Sequence, residues 1–490
     1  MAEERLEEIR NKRLQTREDL IASNNQPYPS EVRRTHTIGE LISSFDECVQ
    51  DGSSVVIIGR IQAIRSHGVL AFIDIADESG KMQLQFTQEA LGDRFADIET
   101  LDTGDFLEAT GTPTHSKRGE RTIAVAAHTI ISKAIRPIPS TWFGLKDIAQ
   151  RSRERELDLL ANPETKETVQ KRSGVLKFLR NYLDAKGFIE VETPILQPIA
   201  GGTLAEPFST HHNALDSDLF LRIAPELYLK RLLVGGFEKV FEIGKNFRNE
   251  GVDKSHNPEF TMLEFYLAYA DYEDLMDFAE EMLSASAKEI TGAHEIPWGE
   301  ETISFAAPFE RLSYVNLLEE RTGINVLTEK NPGAYLQVFK KHNITPPATQ
   351  TYTKLVDELY KEIVRPTLKN PTILYDYPVE LVPLAKRSAK NEHIAEMFQL
   401  VVAGMEIVKA YTELNDPVEQ RKRFEEQQAA RDTGDREAHS IDEAYLKAME
   451  YGMPPAAGFG LGVDRLVMLL TNTSHLRDTI LFPLMKEEHI

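Results

Sequence analysis

The stretch FEIGKNFRNEGVDKSHNPEFTMLEFYL, residues 241–267, decides how the chain is read. Its two ends alternate apolar and polar residues with the period of two of a half-buried strand, and its middle, 249–258, holds the Asn, Gly, Asp, Ser and Pro of turn chemistry. The spacing predicts a hairpin. Phe241, Ile243 and Phe247, with Leu263, Phe265 and Leu267, form an apolar face that packs on a core. The other face carries Glu242, Asn246 and Arg248 on one strand and Phe260, Met262, Glu264 and Tyr266 on the next. It is either the solvated side of an ordinary hairpin or a binding floor, on which Arg248 meets phosphate oxygens and Phe260 stacks on a base.

A chain of 490 residues is too long for one ordinary core, so two or three domains are expected. No apolar run reaches membrane-spanning length, and the opening MAEERLEEIR lacks the apolar segment of a signal peptide. Cys48 is the only cysteine, which excludes a disulfide framework, a thiolate zinc cage and an iron–sulfur cluster. The expected location is the cytoplasm, with no membrane partner. A formal net charge of −22 argues against indiscriminate nucleic-acid binding and leaves room for a local site on one small domain.

In chain order, residues 1–21 read as a mixed-charge helix with Arg5, Arg10, Lys12, Arg13 and Arg17 on a basic side, either a solvated face or one that touches RNA backbone, ended by Gln26-Pro27-Tyr28-Pro29. Between about 53 and 134 come five short alternating runs with Gly-marked turns, the pattern of a small five-stranded β-barrel such as the OB-fold. On it Phe72 either stacks a base or belongs to the core, and Arg60, Gln83 and Glu120 are placed to address base edges. A proline-rich linker and one charged helix over 147–160 follow. An amphipathic helix then leads to the strand FIEVETPIL, to Gly201-Gly202, and to a helix opened by Pro225-Glu226. Residues 297–364 read as a helical insertion without chemistry. The last third shows one strand region, MFQLVVAGMEIVKAYTEL, and GFGLGVDRLVMLL, which either matches the dinucleotide-binding fingerprint superficially, without the surrounding strand–turn–helix unit, or uses its glycines to let the backbone approach a ligand beneath Arg465.

Three features in this order, GFIEVETP, the FRNE–loop–HNPEF hairpin and a terminal GLGVDR, resemble the signature set of the class II aminoacyl-tRNA synthetases. Within that class the chain is similar to the lysyl-tRNA synthetases over nearly its whole length, with APELYLKR and YTELND pointing to lysine. The resemblance implies an α+β organisation. Residues 1–49 are a lead-in, 50–137 an OB-fold anticodon-binding barrel, 138–160 a linker, and 161–490 a class II catalytic domain of antiparallel sheet flanked by helices.

It also implies ATP, L-lysine and tRNALys as partners, Mg²⁺ as cofactor and a homodimer joined through the helix and strand ending at Pro194. By similarity Arg248 and Arg465 are catalytic. Glu250, His256, Asn257, Phe260 and Glu406 join them around ATP. Gly202, Glu226, Glu264, Tyr266, Tyr411 and Glu413 join Arg248 around lysine, whose desolvated ammonium needs carboxylate partners. Glu206, Glu242 and Asp464 are kept as structural groups. Glu406 is the expected Mg²⁺ ligand. Its parity is opposite to that of Glu413, so a bulge or turn at Gly404-Met405 is expected.

Two positions depart from the family pattern. Gln399 replaces an acidic metal ligand, which leaves the number of Mg²⁺ ions open, and Lys409 replaces an asparagine that contacts the substrate. The Lys409 ammonium either pairs with the substrate carboxylate, the favoured arrangement beside Arg248, or competes with lysine for the glutamates. A relative that lysylates a protein lacks the barrel, an aspartate or asparagine enzyme has no need of three glutamates, and a silent RNA-binding relative need not keep Arg248, Phe260, Glu406 and Arg465.

Overall fold

Alternation of buried and half-buried residues builds the first of the two compact units into which the chain divides, Met1–Lys146 and Asp147–Ile490. Strands Val55–His67, Leu70–Ala76, Lys81–Thr87, Phe106–His115 and Arg121–Ser132 close into a barrel. Ile57, Ile73, Ile75, Leu84, Phe86 and Leu107 fill it. Phe72 alternates with the buried Ala71 and Ile73, so it stands half-buried on the outer face. The helix Ala2–Ala22 precedes the barrel, and here the sequence reading needs a correction. Arg13 is not part of a solvated basic side; it is 5% exposed and its guanidinium donates to the carbonyls of Thr103, Ala134 and Arg136. Those carbonyls lie at the end of the barrel, and an arginine fork satisfies them.

The structure is a computed structural model describing residues 2–138, 145–203, 205–251, 253–382, 384–432 and 440–486. Residues 139–144 of the expected linker, with Pro139 and Trp142, lie outside the described residues, as do 487–490 of the expected catalytic domain. The second unit is organised on an eight-stranded sheet. Its order is Glu310–Ser313, Thr372–Pro378, Ile394–Val402, Met405–Thr412, Ala456–Gly462, Glu259–Ala268, Lys239–Phe247 and Ile189–Glu190. Both edge pairs are parallel and the rest are antiparallel.

The hairpin holds an unbroken register from Lys239↔Leu267 to Phe247↔Glu259. Its apolar face, with Phe241, Leu263 and Phe265, packs with residues of the helices Pro163–Ala185, Tyr272–Thr291 and Val463–Leu470. Tyr266 and Tyr411 belong to the core on the other side, with Leu229 and Leu233 of the helix Glu226–Val234. The sheet is thus covered on both faces, and the site opens within the second.

Several local expectations change. The charged segment at 147–160 is two helices, Ile148–Arg153 and Arg155–Ala161, broken at Glu154 because Arg155 and Asp158 turn inward to pair at 2.5 Å. FIEVETPIL is not one strand but two short ones, Ile189–Glu190 and Leu196–Gln197. The region around 394–412 is a hairpin turned at Ala403-Gly404, both at positive φ (50° and 69°), as a two-residue turn requires. Residues 297–364 are not a separate helical body. Glu310–Ser313 is a strand of the main sheet, and Tyr314, Leu318, Tyr335 and Tyr360 share the core of Tyr266 and Tyr411.

Candidate active site

Register across the sheet lays the site out in rows. Glu264 pairs with Gly460, Gly460 with Lys409 and Lys409 with Gln399. Two residues deeper, Tyr266 pairs with Gly458 and Gly458 with Tyr411. The middle strand offers glycine in both rows, so the side chains on either side stand around a floor without Cβ atoms. At Gly458 no other residue fits. A Cβ there would run into Glu413 Oε1 and lie 2.6 Å from the Tyr266 ring.

Above this floor is a cavity of about 490 Å³. Every residue expected at ATP, lysine or the metal lines it except Glu413, which lies beneath it, fully buried. Glu406 enters through a bulge: Leu400 pairs with Val408 and Val401 with Glu406, leaving Ile407 as the extra residue. The bulge therefore lies inside the strand rather than at Gly404-Met405, where the turn already uses the glycine. It turns Glu406 to the face of Lys409. Arg465 Nη1 holds the Glu406 carbonyl at 2.8 Å, and its Nη2 donates to His256 Nε2 at 3.2 Å. Asp253 orients the other side of that imidazole at 2.8 Å.

Cations outnumber their partners at this end. The Arg248 guanidinium carbon lies 5.0 Å from the centroid of the Phe260 ring, and its Nε is buried without a hydrogen bond. Neither Arg248 nor Lys409 closes an ion pair among the described residues. Asn257 Nδ2 donates to the Glu259 carbonyl at 2.6 Å, while its Oδ1 is buried and unpartnered. Glu250 is exposed at the rim. Such a group of unneutralised donors is suited to polyphosphate and carboxylate oxygens. Glu242 and Asp464 are occupied elsewhere, with Arg222 and Thr193 and with Arg172 and Thr261 respectively.

The opposite end is acidic. Tyr411 OH donates to Glu226 Oε1 at 2.7 Å, and Tyr266 OH reaches Glu264 Oε2 at 3.5 Å. Burial, then the charge of Glu226, pushes the Glu264 carboxyl up to about 8 against the pull of Arg248. Burial likewise raises Glu413. At Gly202, which has φ +99°, a Cβ would lie 3.0 Å from Glu226 and 3.1 Å from Ala224.

Sequence reading missed two sets of residues here. Lys230 is fully buried with its ammonium 2.5 Å from Glu226 and paired with Glu413 Oε2; desolvation works to lower its pKa, and the two carboxylates outweigh it and raise it. Its i, i+4 spacing from Glu226 was the available signal. Asp357 and Lys361, from the stretch read as lacking chemistry, and Arg365 just after it also line the cavity.

On the barrel, Gln83 pairs with Asp74, and Gln83 Nε2 donates to Glu120 Oε2 at 3.3 Å. Thr122 donates to Gln83 Oε1 at 2.9 Å. The Arg60 guanidinium covers Phe106, 4.4 Å from its centroid. These side chains share the outer surface that carries Phe72.

A sheet of mainly antiparallel strands with a cationic hairpin, a glycine floor and a terminal arginine defines a class II aminoacyl-tRNA synthetase. The family model of the tRNA synthetases class II (D, K and N) matches residues 147–486, and that of the OB-fold nucleic acid binding domain matches 55–131. The lysine–tRNA ligase of Carboxydothermus hydrogenoformans is 46% identical over 487 residues, 99% of each chain. That of Roseiflexus castenholzii is 47% identical over 98% of each, and that of Pelotomaculum thermopropionicum 45% identical over 99% of this chain and 96% of the relative. The chain belongs to the lysine–tRNA ligase family.

Proposed function

We propose that the protein activates L-lysine with ATP and transfers it to tRNALys, and that the work divides among the side chains as follows. One lysine carboxylate oxygen attacks the α-phosphorus of ATP, pyrophosphate leaves in line, and lysyl-adenylate forms. The terminal ribose hydroxyl of the tRNA then attacks the adenylate carbonyl and AMP departs. No protein group forms a covalent bond, so positioning and charge neutralisation carry the rate.

Arg248 bridges the lysine carboxylate and the α-phosphate. Arg465 and Phe260 hold the base, His256 the phosphates, and Glu250 and Asn257 the adenine edge. Lysine lies along the glycine floor, with its amino-acid end in the Glu264–Lys409 row and its ammonium at Glu226, Glu413, Tyr266 and Tyr411. The observation that carries this reading is the spacing of the two rows. Two strand residues span about 6.8 Å, close to the length of an extended lysine side chain.

Glu406 is the one cavity carboxylate placed beside Gln399 without an ion-pair partner, and Tyr377 OH already donates to Gln399 Oε1 at 2.9 Å. No group of three or more His, Cys, Asp or Glu suited to a metal occurs among the described residues. That donor set fits Mg²⁺ held by Glu406, with Gln399 as a neutral oxygen, and completed by phosphates and water. An ion held there would supply charge neutralisation to the polyphosphate.

Arg60, Phe72, Gln83 and Glu120 read the anticodon on the outer face of the barrel. A homodimer forms through the helix and strand ending at Pro194, a reading supported by the exposure of Ile189 in the edge strand and of Ile195 and Leu196 just after Pro194. No helix among the described residues is long and apolar enough to cross a membrane, and the working location is the cytoplasm. Amino-acid-dependent ATP–pyrophosphate exchange with Mg²⁺, run over all twenty amino acids, tests the core of this reading. Exchange with lysine alone is expected; exchange with another amino acid, or with none in a folded protein that still binds tRNA, would sink it.

A further inference from the structure

Behind the acidic end of the cavity lies a buried ammonium. Lys230 enters from the helix Glu226–Val234, is 0% exposed, and ties Glu226 Oε1 to Glu413 Oε2. Its Nζ lies 5.5 Å from the Tyr411 ring centroid and 6.0 Å from that of Tyr266. The two rings that flank the floor from the front are thus approached by a cation from behind. Glu413 Oε1 is buried, has no hydrogen-bond partner, and is the atom a Cβ at Gly458 would strike. One oxygen of the pair is therefore free and lies beneath the glycine floor.

The charge count follows. Burial works to protonate Glu413 and the Lys230 ammonium works against it; with both carboxylates ionised, Glu226 and Glu413 carry two negative charges and Lys230 one positive, so the subsite holds one net negative charge. We propose that Lys230 is a specificity-determining residue, a resident ammonium that cancels one of the two carboxylate charges and holds both groups facing the floor, so that the subsite is neutralised by a single incoming ammonium. This deepens the reading of Glu226 and Glu413 as the lysine side-chain site and rests on it. A buried pair of carboxylates lacking such a cation cannot stay doubly ionised. The subsite would then take up a proton or demand a second cation, and a monoammonium ligand would no longer match it.

The test is lysine-dependent ATP–pyrophosphate exchange on the full chain, with thermal melting as a check of folding, in Lys230→Met, Glu413→Gln and the double variant. Loss of one partner of a buried charge pair is expected to raise the lysine KM of Lys230→Met by about 100-fold, with the ATP KM changed less than about threefold. The double variant again carries one net negative charge and is expected to bind lysine more tightly than either single variant, by about tenfold. A purely structural role for Lys230 would make the second substitution add to the damage. An unchanged lysine KM in Lys230→Met, or a double variant weaker than Glu413→Gln, overturns the proposal. If Lys230→Met does not fold, the comparison of the double variant with Glu413→Gln decides alone. A wild-type chain without lysine-dependent exchange overturns the underlying reading as well, whereas an active wild type with insensitive variants overturns only this one.

Discussion

Gln399 and Lys409 stand opposite one another on neighbouring strands, an amide facing an ammonium where the family resemblance implies a carboxylate facing an asparagine. The two departures are thus one exchange, worth two units of charge at a single place on the sheet. On the proposed reading, an ammonium there would do part of the neutralising that a divalent ion would otherwise do. Lys409→Asn is expected to raise the lysine KM about tenfold, by removing one charge-assisted contact to the substrate carboxylate. Tighter binding of lysine in that variant would show that the ammonium competes for the glutamates. In Gln399→Glu/Lys409→Asn, pyrophosphate exchange should depend more steeply on Mg²⁺ than in the wild type; an unchanged dependence would separate the pair from the metal.

If lysine's amino-acid end lies against Glu264, as proposed, lysine binding should be sensitive to pH. The Glu264 carboxyl, pushed up to about 8 chiefly by burial, holds a proton near neutrality, and an incoming amine needs the carboxylate. Lysine affinity should therefore rise from about pH 6 to 8, by up to about tenfold per unit, with a proton released on binding. Calorimetric titration in two buffers of different ionisation enthalpy measures that proton, and an affinity flat over this range would refute the assignment. The folding term has the opposite sense. Because the folded value lies above the ordinary 4.5, this group's contribution to stability is complete below about pH 4.5 and is lost as pH rises toward 8. Saturating lysine should offset the loss, as a rise in melting temperature larger at pH 8 than at pH 6.

Gly458 tests the floor directly. An alanine Cβ would meet Glu413 Oε1 and the Tyr266 ring, both buried and unable to withdraw cheaply. Gly458→Ala should raise the lysine KM by about 100-fold, since 1 Å of displacement is costly at a positioned site. ATP binding, whose groups lie at the other end, should stay within about threefold of the wild type in fluorescence titrations. Equal loss at both substrates would mark a general collapse of the sheet.

What could be read from the chain was set by local chemistry. The hairpin and barrel were legible because period-two alternation and turn residues are local signals, and each apolar face found its core. Parity also foretold that Glu406 needed a bulge. It misplaced that bulge because Ala403 and Gly404 were already spent on the turn. Glu310–Ser313 was not legible because its pairing partner begins at Thr372, far along the chain, and four residues carry little periodicity. Arg13 looked like a surface charge in sequence, and Lys230 drew no reading of its own. Only the fold brings carbonyls to one and carboxylates to the other.

Substitution at Phe72 would test the proposed tRNA reading separately from amino-acid activation. The Phe72 ring is half-buried on the outer face of the barrel, cross-strand from Arg65 and Gln85, and Arg65 is held by Asp74 through bonds of 2.8 and 2.9 Å. The ring's surroundings are therefore fixed before a base arrives. Stacking of one base on an aromatic ring is worth about 1–3 kcal/mol, so Phe72→Ala should raise the KM for tRNA roughly tenfold or more. Pyrophosphate exchange needs no tRNA and should stay within about twofold, and Phe72→Trp, which keeps a stacking face, should aminoacylate close to the wild-type rate. An unchanged tRNA KM in Phe72→Ala would remove this residue from the reading surface. A matching fall in exchange would point instead to a folding defect that reaches the catalytic unit.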